Sequence, residues 1–437
     1  MKIKTITVGN YKNIGPTTLE LGQIVALVSI NNYGKSNLLE AIDFGFDYIS
    51  ASPKGRRQMM SYVKSIPLSR SLAGSNYSFQ IEFDEPELGE YRFVRYGFEF
   101  TWRNDKGTGA RIVDETLEIR SNESTRYTSY LKRGKGAYRA SKAKTGFRKL
   151  ELADNVLAID IISSVERAEI AKVVTFIKEL KYRICDSLEV DNSFSVSPIE
   201  IDLGQGQEFP FNDEDIPRAL SVLQKEDPSR FNLFLEAIYD LFPEFNKVEL
   251  QEYTLKENLE NEVKTIKLAA EDGKEQEIPY RLRNDLFSLM IESSYLNQPL
   301  SMENMSTGTK RIFWLVANAI FSNSSGTRIL GVDEIETSIH PRMMERLLSS
   351  LIELLGDTSL LVTSHSPYLI QYLKPQSIYI GSPSNDGVAR FKRVAPGKAK
   401  ALVNAARERS LSVGEYIFEL LSGDEDLADI LSAYLEG

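Results

Sequence analysis

The pattern of hydrophobic and polar residues changes several times along this chain of 437 residues. Residues 1–9 and 23–29 alternate or are apolar in the manner of β-strands, and residues 37–49 have the three- and four-residue apolar spacing of a helix. From residue 77 to residue 120 the pattern has a period of two, which predicts an antiparallel sheet with one buried face. The first third of the chain therefore combines a strand–helix unit with an antiparallel sheet.

The remainder of the chain has two further patterns. Residues 151–245 predict mainly helices, notably at 165–180 and 231–241, and residues 246–280 return to strand-like alternation. From residue 307 onward helices and strands alternate, which is typical of a parallel sheet with crossover helices. We therefore expect three parts, at 1–150, 151–285 and 286–437. Because the middle part has no sustained heptads, a long coiled-coil arm is not expected.

Composition narrows the class of protein. Hydrophobic residues make up 42% and charged residues 26% of the chain, as in globular proteins. No apolar run reaches the roughly 18 to 20 residues that span a bilayer, and the first residues lack a signal-peptide core. The single cysteine, Cys185, excludes an internal disulfide framework and a cysteine metal cluster. We expect a cytoplasmic protein.

Residues 29–36 (SINNYGKS) follow an apolar strand and begin a helix, which is the context of a phosphate-binding loop. Amides of such a loop and helix N-terminus point donors at the β- and γ-phosphates. The lysine adds a positive charge and the serine hydroxyl can ligate Mg²⁺. Ser29 stands where the motif has its first glycine. The predicted nucleotide-binding residues of the loop are Asn31, Asn32, Gly34, Lys35 and Ser36.

Two further strands carry candidate chemistry at their ends. The largely apolar segment 328–332 (RILGV) leads into Asp333 and Glu334, and burying such carboxylates is costly unless they have a function. Asp333 suits the Mg²⁺ shell, usually through water, and Glu334 suits a general base that activates water. A second apolar strand, 360–363, ends beside His365. Zinc binding by His365 and His340, the two histidines, is disfavoured because two imidazoles alone make a poor zinc site.

Three short segments resemble motifs of one family. Residues 334–341 (EIETSIHP) resemble the E-P-E-T-S-L-H-P run of AAA ATPases of the ABC/SMC type, which include RecF-like, OLD-like and many bacterial defence ATPases. Residues 304–311 (NMSTGTKR) resemble their signature loop, and residues 11–15 (YKNIG) resemble the short motif that precedes their phosphate-binding loop. The resemblance covers about residues 1–45 and 300–380, and it departs from the family at Ser29 and at Ile335, where proline is usual.

The resemblance implies an α/β fold, the ABC-type head of P-loop NTPases, with a mixed or parallel core sheet, an antiparallel β lobe and a mainly helical insertion. It implies ATP and Mg²⁺ as cofactors and adds Lys12 and Asn13 to the nucleotide site. In such proteins the signature loop of one subunit, here Ser306 and Gly308, caps the γ-phosphate held by another subunit, so that ATP joins a head-to-tail dimer. His365 would sense the γ-phosphate. The alternative for residues 306–308 is a plain helix N-cap.

A basic segment at 131–149 contrasts with the net charge of −10, which argues against a protein that coats nucleic acid over its whole surface. The segment is either a solvated loop or a phosphate-contacting loop for DNA, or it binds a partner protein. Its cations are Lys132, Arg133, Lys135, Arg139, Lys142, Lys144, Arg148 and Lys149, and the aromatic residues available for stacking on bases are Tyr130, Tyr138 and Phe147.

Three functions fit these motifs. Neither a C-terminal Toprim domain, as in OLD-like nucleases, nor a nuclease motif in 151–285 is recognisable. The first reading is therefore the ATPase subunit of a bacterial anti-phage system, which regulates a separately encoded nuclease or toxin. The second is a RecF-like repair ATPase that acts as an ATP-gated DNA clamp. A nucleotide-binding scaffold with negligible hydrolysis is a third, indicated by Ser29.

Overall fold

The computed structural model describes residues 1–61, 66, 68–104, 107–138, 148–149, 151–163, 169–185, 190–196, 199–201, 211, 214–255, 264–269, 275–381, 386–423 and 425–436. The chain forms two compact units. Unit 1 comprises Met1–Asp186, Gly326–Ile335 and Asp357–Gly437, and unit 2 comprises Ser187–Ser325 and Glu336–Gly356. The expected division into 1–150, 151–285 and 286–437 stays a prediction.

The elements are numbered in chain order. The strands are β1 (Lys2–Gly9), β2 (Thr17–Glu20), β3 (Ile24–Ser29), β4 (Tyr77–Asp84), β5 (Phe93–Thr101), β6 (Arg111–Arg120), β7 (Thr128–Lys132), β8 (Ala137–Tyr138), β9 (Arg148–Lys149), β10 (Tyr182–Cys185), β11 (Ile199–Ile201), β12 (Phe245–Thr254), β13 (Lys264–Ala269), β14 (Glu275–Leu282), β15 (Asp285–Ser293), β16 (Leu300–Ser301), β17 (Ile329–Val332), β18 (Ser359–Ser364), β19 (Ile378–Gly381) and β20 (Phe391–Arg393). The α-helices are α1 (Lys35–Ser50), α2 (Pro53–Met59), α3 (Ala158–Ile162), α4 (Ala171–Lys178), α5 (Ile216–Glu226), α6 (Pro228–Leu241), α7 (Thr307–Ser325), α8 (Pro341–Leu355), α9 (Pro367–Ile370), α10 (Ala399–Glu408), α11 (Val413–Leu421) and α12 (Glu425–Ser432).

An antiparallel sheet in unit 1 has the strand order β2-β1-β4-β5-β6-β7-β8-β9. Its strands alternate between buried and partly exposed residues, as in β4, where Phe79, Ile81 and Phe83 are buried and the residues between them are not. This alternation is what a sheet with one face on the core requires. The antiparallel sheet predicted at residues 77–120 is confirmed by β4, β5 and β6.

A second sheet of unit 1 has the order β10-β17-β18-β3-β19-β20, and its neighbouring strands are parallel except for the last pair. Strands β3, β17 and β18 are buried along their whole length, which explains their continuous apolar sequences. The predicted parallel core sheet is thus confirmed. Because β17, β18 and β3 are adjacent and parallel, the residues that follow their carboxyl ends meet at one edge of the sheet.

Helix α1 buries the apolar residues that its spacing predicts, among them Leu38, Ile42 and Phe46. A Cβ atom at Gly45 would overlap the ring of Phe79, so this glycine permits the close approach of the helix to strand β4. The ring of Phe46 stacks on Tyr182 with 4.5 Å between centroids. Aromatic packing therefore fixes α1 in the core of unit 1.

Residues 151–245 contain helices α3 to α6, as expected, and strand β10 is an element that the pattern did not predict. The four residues from Tyr182 to Cys185 pair with β17 in the core sheet. They are too few for an alternating pattern to be distinguished from a helical one, because burial on the sheet makes them mostly apolar. The predicted helix at 165–180 is observed as α4, while residues 164–168 lie outside the described residues.

Unit 2 contains helices α5 to α8 and two antiparallel sheets, with the orders β12-β15-β16 and β11-β14-β13. Helix α7 is buried over most of its length, from Lys310 to Ser322. The strand-like alternation predicted at residues 246–280 is confirmed by β12, β13 and β14. Among the helices of the described residues, none is both long and apolar enough to cross a membrane.

Candidate active site

The loop between β3 and α1 reaches the helix through Gly34, which is the N-cap of α1 and has φ of 117°. A side chain at this position would be strained by that backbone angle. Its Cβ would also lie 2.9 Å from Oδ1 of Asn13 and 3.2 Å from Cβ of Ala389. The glycine therefore leaves the backbone amides at the start of α1 accessible from the pocket side, where a phosphate could approach them.

Lys35 is 5% exposed, and its side chain folds back over the loop. Its Nζ lies 3.2 Å from the carbonyl oxygens of Ser29 and Ile30 and 3.4 Å from the hydroxyl of Ser29. Ser29 itself is fully buried, and its hydroxyl donates to the carbonyl oxygen of Ile30 at 3.0 Å. The serine that replaces the first glycine of the motif thus contacts the lysine that is predicted to bind phosphate.

The end of β17 brings a carboxylate to the first turn of α1. The hydroxyl of Ser36 donates to Oδ2 of Asp333 at 2.7 Å, and Asp333 is 8% exposed. The hydroxyl of Thr363, on the adjacent strand β18, donates to Oδ1 of the same carboxylate. Both oxygens of Asp333 therefore accept hydrogen bonds from side-chain hydroxyls of neighbouring elements.

His365 lies between Lys35 and Glu334, the second carboxylate. Its Nδ1 is 3.1 Å from Nζ of Lys35, and its Nε2 is 3.2 Å from Oε1 of Glu334. A lysine ammonium can only donate, so Nδ1 accepts and the ring proton belongs on Nε2, which donates to the carboxylate. Three side chains that the sequence places far apart are thus joined by hydrogen bonds in the order Lys35, His365, Glu334.

These groups line a pocket of about 640 Å³, a volume within the range of small-molecule sites. The lining consists of residues from the loop, from α1 and from the ends of β17 and β18. They are Asn31, Asn32, Gly34, Lys35, Ser36, Asn37, Glu334 and His365. All but Asn37 are candidates named from the sequence, and Asn37, which follows the phosphate-binding loop, was missed.

Lys12 and Asn13 lie beside this loop. Asn13 donates from Nδ2 to the carbonyl oxygen of Tyr33 at 3.1 Å, and its Oδ1 accepts from Nδ2 of Asn37 at 2.8 Å. Lys12 forms an ion pair with Glu40 of α1. These contacts brace the loop and α1, and the predicted contact of Lys12 and Asn13 with nucleotide stays a prediction.

The signature-like segment precedes α7 in unit 2. The hydroxyl of Ser306 accepts a hydrogen bond from the backbone amide of Thr309 at 3.2 Å, which is N-cap geometry. A Cβ at Gly308 would lie 2.5 Å from the carbonyl oxygen of Ser338, so a glycine is required there too.

His340 is the N-cap of α8, where its Nδ1 accepts from the amide of Arg342 at 3.2 Å. In the part of the chain that is described, no group of three or more acidic, histidine or cysteine side chains could hold a metal ion.

The family model with the description "AAA domain, putative AbiEii toxin, Type IV TA system" matches residues 24–371, which is most of the chain. The chain belongs to this AAA family. The ABC/SMC-type AAA ATPase inferred from its motifs is thereby confirmed. No curated protein matches the sequence.

Three solved SMC head structures are similar to this AAA ATPase, and the first of them bears on its fold. An SmcHead bound to the C-winged helix domain of ScpA has a TM-score of 0.52 at 16% identity, over 91% of this chain and 100% of that one. The SMC head domain from Thermotoga maritima has a TM-score of 0.43 at 12% identity, over 90% and 100% of the two chains. An Smc head domain from Pyrococcus furiosus, with an extended coiled coil and bound to the C-terminal domain of ScpA, has 0.44 at 13%, over 93% and 99%. The first likeness shows that the chain has the ABC-type head fold.

The side chains of the ATPase fit Mg²⁺ as well as phosphate. Ser36 and Asp333 present hard oxygen donors 2.7 Å apart. Mg²⁺ usually takes one or two protein oxygens of this kind and completes its shell with water and substrate phosphates. The structure thus brings the two residues predicted as metal ligands together. Ser36 also belongs to the N-terminus of α1, where Gly34 leaves the backbone amides accessible.

The described part of the basic segment corrects one expectation about it. Tyr130 and Tyr138 are 3% and 7% exposed, so their rings belong to the core and cannot stack on bases. Arg133 is also mostly buried, and it donates to the carbonyl oxygens of Val156 and Ala153 at 2.6 and 2.7 Å. Tyr130 lies on β7 and Tyr138 on β8, and both rings pack in the hydrophobic core of unit 1. Arg139, Lys142, Lys144 and Phe147 lie outside the described residues.

Proposed function

We propose that this AAA ATPase binds ATP with Mg²⁺ in the pocket at the ends of β3, β17 and β18 and hydrolyses it there. The observation that carries the proposal is the meeting of Lys35, Ser36, Asp333, Glu334 and His365 at one edge of the core sheet. Each of these residue types has a separate task in phosphoryl transfer. A structural role alone would not require an ammonium, a metal-binding pair and a base within one pocket.

Binding uses the loop and the first turn of α1. The backbone amides at Gly34 and Lys35 would donate to the β- and γ-phosphates, and the ammonium of Lys35 would add a charged partner. Three present acceptors of this ammonium are neutral oxygens of Ser29 and Ile30, which a phosphate oxygen could outcompete. Mg²⁺, when bound by Ser36 and Asp333, would neutralise charge on the phosphates.

Hydrolysis would begin with Glu334 as the general base. A water molecule in line with the γ-phosphorus would give a proton to this carboxylate while its oxygen bonds to phosphorus. The bond to the bridging β–γ oxygen would break, which yields ADP and phosphate. His365 donates from Nε2 to Glu334 at 3.2 Å and so holds the carboxylate in position. Contact of His365 with the γ-phosphate of bound ATP stays a prediction.

Two substitutions test the site. Lys35→Ala should abolish ATP binding, because the remaining amides lack its charge, and Glu334→Gln should bind ATP while hydrolysis falls about 10²- to 10⁴-fold. Binding is measured with a fluorescent ATP analogue and turnover by phosphate release. Lys374→Ala and Glu345→Gln, at exposed positions, are the matched controls. Equal nucleotide affinity in Lys35→Ala and the unsubstituted protein would exclude this site, and normal turnover in Glu334→Gln would exclude the base.

We propose further that the protein dimerises head to tail around ATP. The segment Ser306 to Gly308 of one subunit would then cap the γ-phosphate held by the loop of another subunit. The proposal is supported by the position of these residues at the N-terminus of α7, where backbone amides favour an anion. Size-exclusion chromatography of Glu334→Gln with ATP and with ADP tests it, and a monomer under both conditions would contradict it.

The biological role that we propose is regulation of a separately encoded effector, a nuclease or toxin, in a cytoplasmic anti-phage system. The matching family description refers to a toxin–antitoxin system, and the SmcHead of similar fold was crystallised with a domain of another protein. Co-expression with the products of neighbouring genes, followed by purification through a tag on the ATPase, is the direct test. Recovery of a nuclease or toxin, dependent on nucleotide, is the expected result, whereas replication proteins would favour a RecF-like clamp.

Contact with DNA through residues 131–149 remains a separate hypothesis. A phosphate-binding segment should lose affinity steeply as salt rises, with a slope that reports the number of contacts. Lys132→Gln with Lys149→Gln should lower that slope and leave basal ATP hydrolysis unchanged. Arg133 is kept, because its substitution would remove hydrogen bonds to Ala153 and Val156. Unchanged DNA affinity and unchanged effector recovery would identify a solvated segment.

A further inference from the structure

One buried side chain contacts both residues that carry the carboxylates of the site. Thr363 of β18 is fully buried, and its hydroxyl donates to Oδ1 of Asp333. The same hydroxyl oxygen accepts a hydrogen bond from the backbone amide of Glu334 at 2.8 Å. Asp333 and Glu334 follow β17, so a side chain of the neighbouring strand links two consecutive residues beyond the strand end.

The chemistry of a hydroxyl makes these two bonds depend on each other. A hydroxyl has one proton and two acceptor lone pairs, whereas a backbone amide can only donate. Toward Glu334 the oxygen of Thr363 must therefore accept, and its single proton remains for the carboxylate of Asp333. Both bonds fix the rotation of the hydroxyl, and a methyl group in its place could form neither of them.

The bond to Asp333 orients the carboxylate. With Oδ1 held by Thr363, the other oxygen, Oδ2, points to the hydroxyl of Ser36 at 2.7 Å. Groups that hydrogen-bond to a metal ligand fix its orientation, and their removal typically lowers metal affinity or activity about 10- to 100-fold. Thr363 occupies that position relative to the predicted Mg²⁺ ligand.

The bond to Glu334 supports a strained backbone. Glu334 has φ of 45°, a left-handed conformation that costs a non-glycine residue about 1 to 2 kcal/mol. The hydrogen bond from its amide to Thr363 orients the peptide that precedes the residue. In this conformation the carboxylate reaches His365 at 3.2 Å.

We propose that Thr363 is a positioning residue that couples the Mg²⁺ ligand Asp333 to the general base Glu334. The inference rests on the proposed function of the site and adds a residue to it. Thr363 is buried and does not line the pocket, and it acts by holding Asp333 toward Ser36 and the peptide of Glu334 in its left-handed turn. Loss of the hydroxyl should therefore weaken metal-dependent binding and turnover together.

The experiment measures the affinity for a fluorescent ATP analogue with Mg²⁺ and with EDTA. Thr363→Val, which keeps the shape and removes the hydroxyl, should lower affinity with Mg²⁺ about 10-fold or more and leave affinity in EDTA unchanged. Thr363→Ser should restore affinity with Mg²⁺ to within about 3-fold, because it keeps the hydroxyl. Turnover should follow the same order.

Thr358→Val is the matched control. Thr358 is also buried in unit 1, and its hydroxyl donates to the carbonyl oxygen of Thr327 at 2.7 Å, outside the pocket. This variant loses a buried hydroxyl bond, as Thr363→Val does, but should keep the response to Mg²⁺. An equal loss in both variants would identify a general packing defect and overturn the proposal.

Further variants separate the possible failures. If Thr363→Val does not fold, Thr363→Cys replaces it, since a thiol is a weak donor and should give an intermediate response to Mg²⁺. An unchanged response in the valine or cysteine variant, with a lost response in Asp333→Asn, would overturn the role of Thr363 alone. An unchanged response in Asp333→Asn would instead overturn the metal site, and with it the proposed function.

Discussion

Two loops of this protein lead into long helices, and the two helices differ in how the backbone amides at their N-termini are capped. Helix α1 starts after Gly34, an N-cap residue that makes no side-chain capping hydrogen bond. Helix α7 starts after Ser306, whose hydroxyl accepts from the amide of Thr309. The first terminus leaves its amides to a ligand, whereas the second satisfies one amide with its own serine.

The side chains around the two helix N-termini differ as well. Around α1 the side chains form two hydrogen-bonded sets within unit 1, Ser36 with Asp333 and Lys35 with His365. At the start of α7, glycine is required at position 308 for a steric reason, because a Cβ atom there would overlap the carbonyl oxygen of Ser338. The candidate phosphate site is therefore organised within one unit. The signature-like loop has a local structural role, and its proposed role in a dimer has to be compatible with that local role.

The two glycines provide the most severe test of this difference. Gly34→Ala should weaken ATP binding by about 100-fold or more, because strain at a φ of 117° adds to overlap with Asn13. Gly308→Ala should keep binding, since its clash is with Ser338 in unit 2, and should lose hydrolysis if the loop acts on a partner's nucleotide. Titration with a fluorescent ATP analogue and phosphate release distinguish the two.

The control for this pair is Gly74→Ala, at a glycine of positive φ where a Cβ meets no atom within 4 Å. It reports the cost of backbone strain without overlap. Binding by Gly34→Ala equal to that of the control would contradict the role assigned to the α1 terminus.

Mixed subunits test whether the two loops act across a dimer. Lys35→Ala and Ser306→Arg should each be inactive alone, because one lacks the phosphate charge and the other blocks the signature-like loop. A mixed dimer should regain about one working site of two, since both defects then fall on the same composite site. Activity is measured on mixtures whose heterodimers are isolated with two different tags. Isolated heterodimers without activity would refute completion of the site by a partner.

The two histidines separate catalysis from capping. His365→Ala should lower turnover about 10- to 100-fold, because it removes the contacts with Lys35 and Glu334. His340→Ala should leave turnover unchanged and lower the free energy of unfolding by about 1 kcal/mol, since its Nδ1 caps α8. Turnover and thermal unfolding are measured for both. A loss of turnover in His340→Ala at a temperature where this variant is fully folded would contradict the assignment of His340 to capping alone.

The sequence was sufficient to locate those parts of the candidate site that follow apolar strands of the core sheet. Lys35, Asp333, Glu334 and His365 stand directly after such strands or begin the next helix, and parallel strands bring their ends together. The role inferred for Thr363 was not predicted, because the residue is the last but one of a buried strand and reads as core. One signal could have indicated the role of Thr363. It is a hydroxyl residue near the end of one strand when the neighbouring strand leads into an aspartate.

Short strands and buried polar residues account for the remaining differences. The four residues of β10 are too short for a period to be read, and only their pairing with β17 makes them a strand. Tyr130, Tyr138 and Arg133 looked like a nucleic-acid surface because aromatic and basic residues are usual there. Burial against the sheet, which depends on tertiary contacts, decides their role instead.

Ser306 provides the finest test, because its two proposed roles respond differently to substitution. Ser306→Ala removes the cap on the amide of Thr309 and should lower the free energy of unfolding by about 1 kcal/mol. Ser306→Asp keeps an N-cap acceptor and should retain stability, but its negative charge would repel a γ-phosphate. If Ser306 only caps α7, turnover should be normal in the aspartate variant. If it also faces a partner's nucleotide, the aspartate variant should be stable and inactive while the alanine variant keeps part of its turnover. Chemical denaturation and phosphate release, measured on both variants at one protein concentration, therefore decide between a cap and a cap that also binds phosphate.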